Sequence, residues 1–172
     1  EVDAFLPSHR PLYSALLDPE KPLALDPMTP GELMLRYRKS HLDAMQSALA
    51  VVDETDKKFA AAFGRSYGGL IEEYRCEDAE VVIVTIGGMT GAGKDAVDTA
   101  RERGIRAGLV KIRFYRPFPA KRLAAALGGK KAFCVVDRSV CFGWDRGPMY
   151  VETCAALEDL SGTARFSTIG GL

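Results

Sequence analysis

Neither sign of charge prevails in this sequence: Lys plus Arg and Asp plus Glu number 23 each over 172 residues. Without a net field the chain has no electrostatic footprint for nucleic acid or an anionic membrane, and neither is expected as a partner. Long apolar runs are also missing. The longest uncharged stretch, Val81 to Gly93, is too short to span a bilayer, and its glycines and threonines read as strand and turn. The opening, EVDAFLPSHRP, has no basic region followed by an apolar one and no initiating Met, so it reads as an excised piece and not as a leader.

Metal-ligand spacing is absent as well. Cys76, Cys134, Cys141 and Cys154 form no C-x-x-C pair, and His9 and His41 stand far apart. The expectation is four free thiols in a reducing cytoplasm and no metal site. No internal repeat and no low-complexity tract interrupts the chain, which at 47% hydrophobic can bury a sizeable core.

Proline is plentiful in one place. Six of the nine fall at positions 7, 11, 19, 22, 27 and 30, a spacing that excludes a regular helix or a central strand and predicts an extended arm over 1–30. The arm also carries Phe5, Leu6, Leu12, Tyr13, Leu16, Leu17, Leu23 and Leu25. That is more apolar content than a solvated linker holds, so the arm is expected to lie across a partner surface.

At Thr29-Pro30-Gly31-Glu32 a capping box with Thr29 as cap and Pro30 at the first helical position predicts the start of a long helix over 31–64. Leu35, Leu42 and Leu49 recur every seven residues with Met45, Val52 and Phe59 on the adjoining seam, until Gly64 supplies a stop. Such a stripe needs a docking surface, and a helix of about 45 Å is longer than a small domain is wide. Part of it is expected to pack on its own chain and part to overhang onto a partner.

From Glu80 onward strands and helices alternate. Strands are expected at Val81–Ile86, Ala107–Phe114, Ala132–Asp137 and Ala164–Ile169, with helices at Asp95–Arg103, Pro119–Leu127 and Pro148–Leu160. Near-continuous apolar strands joined by crossover helices predict an α/β fold over 65–172: an open, mostly parallel sheet with helices on both faces. The last strand runs into STIGGL with no helix behind it, which reads as a cut before the fold's last element.

Between the first of these strands and its helix stands IGGMTGAGKD, Ile86 to Asp95. From Gly88 it runs G-x-x-x-x-G-K, most of a phosphate-cradling loop. The next residue, however, is Asp95 where such a loop needs the Ser or Thr that reaches Mg²⁺. One reading is therefore a nucleotide- or anion-binding module, with Gly88, Thr90 and Gly91 as weak anion-site candidates. The favoured reading is a tight strand-to-helix turn made by Gly87, Gly88, Gly91 and Gly93, with Thr90 as N-cap and Lys94 paired with Asp98.

A second loop, Asp137 to Pro148, collects Asp137, Arg138, Trp144 and Arg146 at the carboxyl end of a strand, where open α/β sheets bind ligands and partners. Two readings stand: a docking surface for a neighbouring domain or subunit, or a self-satisfied Asp-Arg turn with Trp144 over local core. Glu152, one turn into the next helix, is expected to pair with Arg138 or Arg146.

Three blocks carry a resemblance: VDAFLPSHRP (Val2 to Pro11), the stretch from FGRSYGG at Phe63 through RFYRPFP at Pro119, and VVDRSVCFGWDRGPMYVE (Val135 to Glu152). Together they span essentially the whole chain, which resembles the α subunit of 2-oxoacid:ferredoxin oxidoreductases, most closely the pyruvate enzyme. The resemblance implies a domain like the C-terminal domain of transketolase, tied by the arm and long helix to a thiamine-type domain. It implies a holoenzyme that uses thiamine diphosphate, Mg²⁺ and iron–sulfur clusters, takes coenzyme A as a substrate and passes electrons to ferredoxin. The G-D-G…N and C-x-x-C-x-x-C motifs that would hold such cofactors are not in this sequence. The resemblance thus implies a non-catalytic assembly segment that binds no cofactor itself and whose partners are the other domains and subunits. Ser139 and Cys141 depart from the Asn and Ser usual in that family's loop.

Overall fold

The computed structural model describes residues 2–6, 18–20, 22, 28–157 and 162–169, so most of the expected arm lies outside the described residues. At its start the arm is not extended. Val2–Phe5 forms one helical turn, α1, possible because the first proline comes only at position 7. The Phe5 ring meets Phe59 and Phe63 edge-on, with centroids 5.7 and 5.5 Å apart.

The long helix α2 runs from Gly31 to Phe63, 33 residues or about 50 Å at 1.5 Å per residue. It ends as its sequence predicts: Gly64 takes φ 69° and donates its N–H to the Ala60 carbonyl at 2.8 Å. Its start is different. Pro30, with extended ψ of 150°, holds the cap position without a side-chain cap bond. Its carbonyl accepts from Leu33 and Met34 N–H at 3.0 and 3.1 Å, so the cap lies one residue later than Thr29. No residue of α2 is buried, and Leu35 and Leu42 are exposed.

Five strands follow: β1 (Ile71–Tyr74), β2 (Val81–Ile86), β3 (Ala107–Ile112), β4 (Ala132–Asp137) and β5 (Ala164–Ile169). Their spatial order is β1-β3-β2-β4-β5, with β2, β3, β4 and β5 parallel and β1 antiparallel on β3. The sequence reading did not anticipate β1. Its four residues, Ile-Glu-Glu-Tyr, are too short and too charged for a strand signal, and those carboxylates suit an edge that must resist stray pairing. Strand β3 stops at Ile112, short of Phe114, because Arg113 and Phe114 turn their N–H groups to the Leu70 carbonyl.

Helices α3 (Met89–Glu102), α4 (Ala120–Leu127) and α5 (Pro148–Ala156) make the crossovers. One sheet face buries Val97 of α3 against Ala107 and Leu109. The other buries Val82, Val84, Val110, Ile112, Phe133 and Val135 beneath Leu123 and Leu127 of α4 and Met149 of α5. Alternate residues of β2 serve alternate faces, Val82 and Val84 on one and Val81 and Ile83 on the other, which is why the strand reads as continuously apolar. The result is the α/β fold, mostly parallel and clothed on both faces, that the alternation of elements predicts.

Candidate assembly interface at the carboxyl edge of the sheet

Strand β2 is central, and the chain leaves it in one direction to β3 and later returns past it to β4. The loop after β2 therefore departs toward one face and the loop after β4 toward the other. This opens the crevice that open α/β sheets place at a reversal of strand order. Both groups of sequence-derived candidates border it, Gly88-Thr90-Gly91 at the start of the helix after β2 and Asp137-Arg138-Trp144-Arg146 from the end of β4 into the loop that follows.

The glycine motif does not form a loop. Helix α3 begins at Met89, with Gly88 as its cap residue, so Gly91, Gly93, Lys94 and Asp95 are all helical. Only Gly87, at φ 66°, and Gly88 make the turn. Thr90 is not the cap: it is buried, and its hydroxyl donates to the Gly87 carbonyl at 2.9 Å while lying 3.1 Å from the Thr85 hydroxyl. Lys94 pairs with Glu72 on β1 instead of Asp98, and its ammonium also lies 5.1 Å from the centre of the Tyr74 ring. Asp98 accepts from the Tyr74 hydroxyl at 2.9 and 3.0 Å and pairs with Arg75 at 3.1 Å. Strand β1 accounts for both exchanges, since it places Glu72 and Tyr74 beside α3.

In the second loop Asp137 is turned inward, 5% exposed. One carboxylate oxygen accepts from the Ser139 N–H and hydroxyl, each at 3.2 Å, and the other from the Met149 N–H at 2.8 Å. Gly147 is the cap residue of α5 and Pro148 its first helical residue, so the end of β4 supplies the carboxylate that the start of α5 lacks. The neck of the loop is closed by Cys141 N–H to the Arg146 carbonyl at 2.8 Å, and its tip by Trp144 N–H to the Cys141 carbonyl at 3.0 Å. Gly143, at φ 77°, occupies the turn position that requires a left-handed residue.

That turn displays its side chains outward. Phe142 is fully exposed, Trp144 is 56% exposed and Val140 43%, so Trp144 covers no core. Arg138 is exposed, and Arg146 pairs with its neighbour Asp145 at 2.7 Å and lies 5.8 Å from the centre of the Tyr150 ring. Phe142 and Val140 were not singled out by sequence reasoning, though the Phe-Gly pair carries the signal of a turn whose tip projects into solvent.

Glu152 pairs with neither Arg138 nor Arg146. It holds Arg116, from the loop after β3, through two bonds of 2.5 and 2.6 Å, and accepts the Tyr115 hydroxyl at 2.7 Å. The Arg116 guanidinium draws the Glu152 carboxyl below the usual glutamate range, helped by the Tyr115 hydroxyl. Burial, with that carboxylate beside it, pushes the Tyr115 phenol up to about 12.

Helix α2 meets the domain at the same carboxyl edge, on the β1–β3 side, where Arg113 follows β3 and Arg122 stands in the first turn of α4. Asp56 accepts from the Ser66 hydroxyl at 2.5 Å and the Tyr67 N–H at 3.3 Å and faces Arg113 at 3.6 Å. The Ser66 bond foremost holds its carboxyl below the usual range. Asp53, one turn earlier, faces Arg122 of α4 at 3.5 Å. Between helix and sheet lies an open groove of about 420 Å³ lined chiefly by Val52, Phe59, Tyr67 and Phe114.

Among the described residues no three His, Cys, Asp or Glu side chains gather to hold a metal ion, and all four cysteines are free thiols. No described helix is long and apolar enough to cross a membrane. The groups at the crevice do not fit a thiamine diphosphate: no loop wraps the glycine motif, the Thr90 hydroxyl faces the sheet, and Lys94 is bound to Glu72. What the carboxyl edge offers is a braced loop that presents aromatic side chains.

These elements define an open, mostly parallel α/β domain with a braced loop of exposed apolar side chains at its carboxyl edge. Residues 79–172 match the model of the pyruvate:ferredoxin oxidoreductase core domain II, and the chain belongs to that family. Over 178 residues, 99% of this chain and 43% of the relative, it is 47% identical to the α subunit of the NADH-dependent phenylglyoxylate dehydrogenase of Aromatoleum evansii. It is 35% identical over 159 residues to pyruvate synthase subunit PorA of Methanothermobacter thermautotrophicus, covering 92% of this chain and 40% of that one. Against ketoisovalerate oxidoreductase subunit VorA of Pyrococcus horikoshii the identity is 35% over 156 residues, covering 91% and 39%. The chain thus spans about two fifths of the length of the curated relatives it matches.

Proposed function

We propose that this chain is the assembly segment of the α subunit of a thiamine-diphosphate-dependent, cytoplasmic 2-oxoacid oxidoreductase. Residues 1–30 serve as an arm, 31–64 as a linking helix and 65–172 as the docking domain. The complex converts a 2-oxoacid and coenzyme A to an acyl-CoA and CO₂ and releases two electrons, which pass through iron–sulfur clusters in other subunits to ferredoxin. Similarity to α subunits over nearly the whole chain carries this reading. The chain's own share is geometric, since the ionisable groups Glu152, Arg116, Lys94 and Glu72 are spent on one another.

Pyruvate is the first acid to test. A second reading, an aryl 2-oxoacid with a nicotinamide acceptor, is favoured by the higher identity to the phenylglyoxylate dehydrogenase subunit, 47% against 35% for pyruvate synthase. Assays of the purified full-length complex separate them. Pyruvate, ketoisovalerate and phenylglyoxylate are supplied in turn with coenzyme A, and with ferredoxin or NAD as acceptor. Reduction of either acceptor that depends on coenzyme A and on one 2-oxoacid supports the proposal and names the substrate. A complex inert toward all three acids abandons it.

A further inference from the structure

We infer that the loop 138–147 is a preformed knob that seats in an apolar cleft of another subunit of the complex, with a carboxylate of that cleft facing Arg138. This inference rests on the subunit reading above and goes beyond it by naming the surface and the chemistry of its partner.

Rigidity is the first ground. The stem is braced by the buried Asp137 carboxylate, the neck by the Cys141–Arg146 backbone bond, and the tip by the turn at Phe142-Gly143. Little conformational freedom is left to lose on binding. Exposure is the second. Val140, Phe142 and Trp144 all face solvent on one short loop, two of them aromatic residues of the kind that anchors interfaces. Arg138, at the start of the same loop, is exposed and makes no ion pair among the described residues, so the complementary surface carries negative charge.

Size selects the partner's shape. Taking roughly 150–250 Å² for a whole aromatic side chain, the three side chains offer on the order of 400 Å² of apolar surface. A stable interface between two copies needs about 800 Å² from each. Two convex loops meeting tip to tip fall well short, whereas a concave cleft would enclose the knob on all sides.

The test uses the full-length α subunit produced together with its partner subunits. Phe142→Ser combined with Trp144→Ser should weaken subunit association at least about thirtyfold on dilution, read by mass photometry. Arg138→Glu should weaken it about tenfold at low salt, and the loss should shrink as added salt screens the new repulsion. Far-UV circular dichroism and the thermal midpoint of the separated α subunit should not move, because these side chains carry no core. A double variant that stays assembled at the dilutions the wild type tolerates overturns the inference. So does a change confined to homodimerisation, or to sedimentation with phosphatidylglycerol–phosphatidylcholine vesicles. Dissociation of the variant from a wild-type complex that oxidises no 2-oxoacid would uphold the knob and remove the functional reading instead.

Discussion

Asp137 and Gly147 pack with no room for a methyl group between them: a β-carbon placed on Gly147 would lie 2.2 Å from Asp137 Oδ2. The backbone of Gly147, at φ −81° and ψ 153°, is open to any residue, so the glycine is required by this contact and not by its torsions. Gly147→Ala is therefore expected to displace the Asp137 carboxylate from the Met149 amide and cost about 1–3 kcal/mol. Thermal unfolding reads this as a drop of about 2–4 °C for each kcal/mol. Asp137→Ala should cost a similar amount by leaving the α5 amide without its acceptor. An unchanged midpoint in both variants would show that the end of β4 does not cap α5.

The Tyr115–Glu152–Arg116 cluster should reveal itself at both ends of the pH scale. Glu152 is depressed in the folded chain, so its contribution is present above the ordinary glutamate value and fades as pH falls through the lower folded one. Arg116 is half exposed, which limits the effect to under about 1 kcal/mol. Glu152→Gln should thus flatten the acid limb of the stability curve only slightly. Tyr115, pushed up to about 12, contributes below the ordinary tyrosine value and loses that contribution as pH rises toward 12. In a tyrosinate absorbance titration, Tyr115→Phe should delete the latest phase. A wild-type titration complete by about pH 11 contradicts the burial of this phenol.

Seating of α2 on the domain is predicted to depend on Asp56. Asp56→Asn weakens the bonds to Ser66 and the Tyr67 amide. The amide exchange of Tyr67 and Gly69 should then quicken by about tenfold while that of β2 and β3 stays slow. Because Asp56 is held below the usual aspartate range, the wild type should show the same local effect only as the pH falls below that range, through the depressed folded value. Exchange rates that do not respond to either change would place the anchor of α2 elsewhere.

Lys94 decides the nucleotide question. With its ammonium on Glu72 and over the Tyr74 ring, Lys94→Ala should cost no more than about 1 kcal/mol. Calorimetry of the wild type with ATP and Mg²⁺ should register no binding heat. Micromolar binding that disappears in the variant would restore the glycine motif as a phosphate site.

The long helix, its glycine stop and four of the strands were legible because each is a local pattern: a seven-residue apolar recurrence, a left-handed C-terminal residue, runs of β-branched side chains. Strand β1 was not, because two glutamates in four residues cancel its strand signal, and its strandedness comes from Ile71 pairing with Ile112. The site was half legible. Asp137, Arg138, Trp144 and Arg146 were placed on the right loop, but the partners assigned to Glu152 and Lys94 were wrong. Each side chain had a closer ion from a distant segment, Arg116 from 36 residues back and Glu72 from 22.

By itself the sequence determined the α/β class, the helix from Gly31, the turn after β2 and the family, since these follow from spacing and composition along the chain. Tertiary structure decided which charge meets which, that a phosphate-loop pattern becomes the first turns of α3, and that Phe142 rather than Asp137 faces outward. Those outcomes depend on which segments the sheet order brings side by side, and β1 lying next to β3 is a contact between residues far apart that no local pattern encodes.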